Sequence, residues 1–127
     1  MSGTDYYLDS DNYEKAVSYL EKALKIARKL NMKGRYLSHL VLLYLCYKNI
    51  GNEYDKKEIQ QLIKEEEYID DYKLYYNLYQ LLEDTSYLKT AYNQIQEKGD
   101  AMEEELKLKF LSYPIPSAIV EEWEKVK

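Results

Sequence analysis

"DNYEKAVSYLEKALKIA", residues 11–27, decides the reading of the fold. Its apolar residues fall at Tyr13, Ala16, Val17, Leu20, Ala23, Leu24 and Ala27, and the series continues to Leu30. That three-and-four spacing predicts an amphipathic helix over residues 12–30. Alanine at 16, 23 and 27 leaves no side chain to hold a neighbouring helix away, while Leu20 and Leu24 fill the adjoining gaps. A helix built this way expects close neighbours, and stacked helical hairpins supply them. "DSDN" offers N-cap side chains before it, and in "NMKG" after it Asn31 or Gly34 is the expected left-handed terminator.

Outward from this helix the pattern stays helical. Residues 36–50, "YLSHLVLLYLCYKNI", are apolar almost all round and stop at Gly51, so this helix expects cover on two or more sides. A third helix over residues 54–68 carries a narrow stripe of Ile59, Leu62 and Ile63. In "DDYKLYYNLYQLL", residues 70–82, Asp70 and Asp71 suit a helix start. Leu74, Leu78 and Leu81 form one stripe there and Tyr72, Tyr76 and Tyr79 another, the mark of a sandwiched helix. From Ser86 a fifth helix keeps Leu88, Ala91, Tyr92, Ile95, Met102, Leu106 and Phe110 on one face, with Gly99 as a candidate bend or break. "SYPIPS" forces a turn, and a sixth helix over residues 117–126 presents Ile119, Trp123 and Val126. The fold class expected is all-α: antiparallel hairpins in an array of about six helices, closed by a C-terminal capping helix.

With 127 residues the chain has room for one domain with a real core, and 46% hydrophobic content separates it from disordered sequences. Four glycines and two prolines leave little punctuation for an all-β fold. A net charge of −5 argues against a nucleic-acid surface. The charge is uneven, with seven basic residues against Glu21 from Lys15 to Arg35, then fifteen acids against six lysines from Glu53 to Glu105. Such opposite ends suit stacking against neighbours, although solvated helix faces explain them as well. No apolar stretch approaches the ~20 residues that span a bilayer, so no membrane partner is expected. Cys46 is the only cysteine, which excludes an internal disulfide and points to a reducing, cytoplasmic location.

The opening helix resembles the second helix of a tetratricopeptide repeat, with Tyr13, Ala16, Leu20 and Ala23 on the pattern's positions. Upstream, "DYYLDSD" resembles the end of that repeat's first helix and its turn, with Tyr7 at the conventional tyrosine. "LLYLCYKNIGNEYD" is similar to a further first helix and its Gly-Asn turn through Tyr47 and Gly51. The helix after it departs from the pattern, placing Lys56 and Lys57 where a small residue belongs, and the hairpin spacing exceeds the usual ~34 residues. The tail, "AYNQIQEKGDAMEEELKLKFLSYPIPSAIVEEWEKV", resembles the C-terminal end of large tetratricopeptide-bearing bacterial signalling ATPases and nucleotide cyclases through Ala91, Tyr92, Phe110, Leu111, Ile119 and Trp123. These resemblances imply a short tetratricopeptide-like α-solenoid, a single domain over residues 1–127 that is a fragment of a larger protein. Tyr7 would then end a first helix with too little chain before it. Part of the residue 12–30 helix's apolar face is therefore expected to be exposed at its N-terminal end or covered by another copy.

The implied function is a protein- or peptide-binding scaffold with no catalysis, cofactor or metal. His39 has no second histidine or cysteine partner in the sequence for a ligand set, and Cys46 reads as a small core residue. The acid runs "EEEYIDD" and "DAMEEE" lack the loop spacing of a calcium hand. Tyrosine offers large contact area with a polar tip, and the resembled family lines its concave face with first helices. Ser38, Lys48, Tyr75 and Tyr79 are the lining candidates on that basis. A regulator that senses a small signalling peptide, which would converge Asn and Arg groups in a pocket, stays open. So does a structural spacer or self-association module, including a homo-oligomer formed through the exposed N-terminal helix face.

Overall fold

The structure, a computed structural model, describes residues 13–66, 69 and 71–127. Every regular element among them is a helix: α1 Tyr13–Lys29, α2 Lys33–Ile50, α3 Lys56–Glu65, α4 Tyr72–Leu82, α5 Thr85–Asp100, α6 Glu104–Ser112 and α7 Pro114–Val126. The all-α class holds. The chain divides into two compact units after residue 67.

In the first unit α1 and α2 form the main antiparallel pair, and α3 adds to α2. Ala16, Leu20 and Ala27 are buried on α1, and Ala23 and Tyr13 are half-buried. The small side chains therefore sit where the helix is covered. Buried residues run round α2 (Leu37, Leu40, Val41, Leu43, Leu45 and Cys46), so no single face of it is the core face. Ile59 is the residue α3 buries fully.

The turn between α1 and α2 is closed by Asn31 at φ +54°. Asn31 donates its backbone N–H to the Arg28 carbonyl and Met32 donates to that of Ala27. This paired pattern satisfies the last carbonyls of a helix around one left-handed residue. Asn31 is the terminator, and Gly34 lies inside the first turn of α2. The same pattern ends α2, where Gly51 at φ +81° donates to Lys48 and Asn52 to Tyr47. An added Cβ at Gly51 would meet nothing within 4 Å, so the demand is backbone strain alone. Gly51→Ala is expected to lower stability by about 1 kcal/mol, strain exceeding the gain from a stiffer unfolded chain. A urea titration checks this, and an unchanged midpoint would contradict the left-handed cap.

In the second unit α4 pairs with α5, and α6 and α7 both pack on α5. Leu88, Ala91 and Ile95 of α5 join Ile119 of α7 in a fully buried cluster. Tyr72, Tyr75, Tyr76 and Tyr79 of α4 and Trp123 of α7 pack around it. Both stripes of α4 are therefore covered, since Leu74, Leu78 and Leu81 are buried as well. Trp123 stacks on Tyr92, ring centres 5.5 Å apart, and so fastens the last helix to α5.

Starts follow local chemistry. Asp55, Asp71 and Asp84 each accept backbone N–H bonds at the heads of α3, α4 and α5. Asp70, Tyr7 and the "DSDN" caps lie outside the described residues.

Two expectations need correcting. The long fifth helix is two helices, which makes seven among the described residues instead of about six. Its stripe ends because α5 stops at Asp100 and the chain folds back. The Lys107 side chain of α6 then lies over Gly99, where an added Cβ would stand 3.3 Å from Lys107 Cγ, and its Nζ reaches Asp100 at 2.6 Å. Met102 and Leu106 consequently face solvent. The last helix also starts earlier than residue 117, because Pro114 and Pro116 occupy its first turn, where a missing N–H costs no helix bond. Val126, expected on the packed side, is exposed.

Candidate functional site

The first unit holds an open cleft of about 330 Å³ where the α1–α2 turn meets α3. Arg28, Asn31, Lys33 and Tyr36 line it from the α1–α2 side, and Glu58, Glu65 and Glu66 from the α3 side. Ala27, Met32, Leu37 and Leu62 give it an apolar floor. The helical hairpin produces this arrangement directly. Arg28 and Tyr36 face each other across the Asn31 turn, and Glu58, Leu62 and Glu65 share one face of α3 at steps of four and three.

Two bonds hold the walls. The Arg28 guanidinium donates from Nη2 to the Tyr36 hydroxyl at 2.6 Å, with Cζ 5.2 Å from that ring's centre. The Tyr44 hydroxyl donates to Glu58 Oε1 at 2.6 Å, tying α2 to α3. Burial, and then the Glu58 carboxylate, push the Tyr44 phenol well above its ordinary value. Tyr44 also packs against Tyr47 and Tyr54, with ring centres 5.9 and 5.5 Å away. The result is an acidic wall in which Glu58 is tied to α2 and a basic wall in which Arg28 is tied to Tyr36, about an apolar floor.

The four lining candidates from the sequence fall elsewhere. Ser38 and Lys48 are half-buried on α2 in the first unit. Tyr75 stacks on Tyr87 of α5 at 6.4 Å, and Tyr79 donates its hydroxyl to Glu122 of α7 at 2.9 Å, both within the second unit. None of the four lines the cleft. The cleft residues escaped the sequence reading, although the Glu58, Leu62, Glu65 stripe was a legible signal.

His39 donates Nδ1–H to the Arg35 carbonyl one turn back, at 2.7 Å. Cys46 is fully buried, and burial pushes its thiol up to about 11. A buried thiol held protonated is a poor nucleophile. Among the described residues no three His, Cys, Asp or Glu side chains group closely enough to hold a metal, and no helix is long and apolar enough to cross a membrane. Gln94 of α5 is buried and donates from Nε2 to the Ile69 carbonyl at 2.8 Å, while its Oε1 has no partner among the described residues.

Comparison of the chain with protein-family models, with curated proteins and with solved structures returned no match.

Proposed function

We infer that the chain is a docking module that holds a protein or peptide segment, and that the cleft of the first unit receives it. The observation that carries this reading is the cleft's composition: an apolar floor between Arg28 and Lys33 on one side and Glu58, Glu65 and Glu66 on the other. A segment bearing one apolar residue between an acid and a base satisfies all three surfaces at once. The volume, at the low end for ligand sites, suits one or two side chains of a longer segment. The tetratricopeptide-like sequence pattern supports the same class, and the resemblance of the tail is consistent with such a module in a larger signalling protein.

A second reading is favoured by one specific observation: Arg28 and Asn31 converge on the cleft, the pair of groups that a small-peptide sensor needs. In that case the ligand's terminal carboxylate would take the Arg28 guanidinium from Tyr36.

Selection from a displayed random-peptide library on the intact chain tests both. Recovered peptides are expected to carry the acid–apolar–base pattern and to bind Leu62→Glu at least about tenfold more weakly, the loss of one buried apolar contact. Arg28→Ala should weaken them selectively if a free C-terminal carboxylate is required. Peptides that bind Leu62→Glu as tightly as the parent chain would move the docking site away from the cleft, and a selection that recovers no binding peptide would favour a structural spacer.

A further inference from the structure

On α1, Tyr19, Ile26 and Leu30 are 50%, 58% and 61% exposed, although they sit beside the buried Ala16, Leu20 and Ala27. Steps of seven and four residues put these three on one line along the helix. Half-buried Ala23 lies next to the middle of that line and lets a second backbone come close there. Lys15, Lys22 and Lys29, all exposed, run alongside on the flank opposite the buried residues.

This is the register of a two-helix seam. Ala16, Tyr19, Ala23, Ile26 and Leu30 alternate by steps of three and four, and a lysine stands directly before each of Ala16, Ala23 and Leu30. The lysines therefore recur every seven residues, about 10 Å apart along the axis. One flank of the apolar side of α1 packs on α2, and the seam from Tyr19 to Leu30 is left to solvent. Exposed apolar rows rimmed by charge mark interaction sites.

We propose that α1 takes an acidic amphipathic helix of a partner protein along this seam. The partner's apolar residues lie on Tyr19, Ile26 and Leu30, and its carboxylates, one every seven residues, face Lys15, Lys22 and Lys29. Charge decides the occupant. A second α1 offers no carboxylates here: antiparallel it sets lysine against lysine, and parallel it sets lysine against Leu20 and Ala27, which are buried. A membrane surface calls for a broad apolar face, and α1 already packs half of its own on α2. Apolar contact gives the affinity, while the exposed ion pairs choose the partner and set its register. None of these residues lines the cleft, so the proposal is independent of the docking function placed there.

Fluorescence anisotropy of a labelled three-heptad peptide on the intact chain is the test. The peptide carries leucine along its seam and glutamate on both flanks, and a twin carries lysine on both flanks. The glutamate peptide should bind at least about tenfold more tightly than its twin, and should weaken when salt rises from about 0.05 M to about 0.5 M. Ile26→Glu should weaken it about tenfold or more. Lys22→Glu should weaken the glutamate peptide and strengthen the lysine twin, a reversal that misfolding does not produce. Leu62→Glu should change neither, and a loss there would put the peptide in the cleft and overturn the proposal. Failure to bind overturns it, as do equal binding of the two peptides and a Lys22→Glu chain that binds like the parent. Two further results reassign the seam and overturn the proposal as well. One is a dimer in sedimentation velocity that Ile26→Glu dissolves, and the other is adsorption to phosphatidylserine vesicles that Ile26→Glu abolishes.

Discussion

Ile119→Ala is expected to destabilise the second unit by about 2–5 kcal/mol, the range for a large-to-small change in a closed core. Ile119 is completely buried and is the one α7 side chain in the cluster with Leu88, Ala91 and Ile95. The loss has two parts: the transfer of the removed methylenes and the void they leave between α7 and α5. At roughly 0.05–0.15 kcal/mol per residue, a unit of this size has little more than that to lose. Amide protection in α4, α5 and α7 should therefore collapse, with Trp123 fluorescence moving toward that of a solvated indole as its stack on Tyr92 opens. Ile119→Val, which removes one methyl, should cost only about 1 kcal/mol and keep the fluorescence. If the alanine variant behaved like the valine one, α7 would not close this core.

The helices were legible because their signals are local. Spacing alone located α1, and two covered stripes on α4 were readable from Leu74, Leu78 and Leu81 set against Tyr72, Tyr76 and Tyr79. Gly51 announced its left-handed cap for the same reason, since few other residues take that conformation without strain. Where the reading failed, a non-local contact decided the outcome. The stripe from Leu88 to Phe110 is continuous in sequence, yet α5 ends at Asp100 and the chain folds back, bringing the Lys107 side chain over Gly99. No periodicity records that. The proline turn erred for a local reason: prolines were read as helix breakers, whereas in a first turn they are starters.

The site was less legible than the fold. Tyrosines drew attention by number, and the structure gives Tyr75 and Tyr79 partners within the second unit, in Tyr87 and Glu122. The cleft instead arises where two charged surfaces from distant positions meet, Arg28 and Lys33 against Glu58, Glu65 and Glu66. The uneven charge along the chain was visible from the start. Which charges would come to face one another depended on the α2–α3 packing, fixed in part by the Tyr44–Glu58 bond. Side-chain pairings of that kind leave no period in a sequence.

Alkaline pH is expected to unfold this protein cooperatively, beginning just above pH 10, and the tyrosines are the cause. Tyr44, Tyr47, Tyr72, Tyr76, Tyr79 and Tyr87 all hold their protons above the ordinary value of 10.0. Burial is the leading reason for five of them, and for Tyr79 it is the bond to Glu122, followed by burial. A raised phenol titration means that the folded chain keeps protons the unfolded chain has released. Stability is then unaffected by these groups below pH 10 and falls as pH rises beyond it. A fully protected tyrosine contributes a slope of about 1.4 kcal/mol per pH unit, and the half-exposed rings here contribute less each. Four of the six lie in the second unit and two in the first, so both units lose stability. Tyrosinate absorbance followed alongside circular dichroism should show a second phase in which the protected group ionises together with helix loss. Tyr79→Phe removes one proton from the linkage and should shift the second phase upward, while at neutral pH it loses only the single bond to Glu122, about 1 kcal/mol. A single phase in which all sixteen tyrosines of the chain ionise near pH 10 with helicity unchanged would mean that α4 does not turn its tyrosine face onto the α5–α7 core.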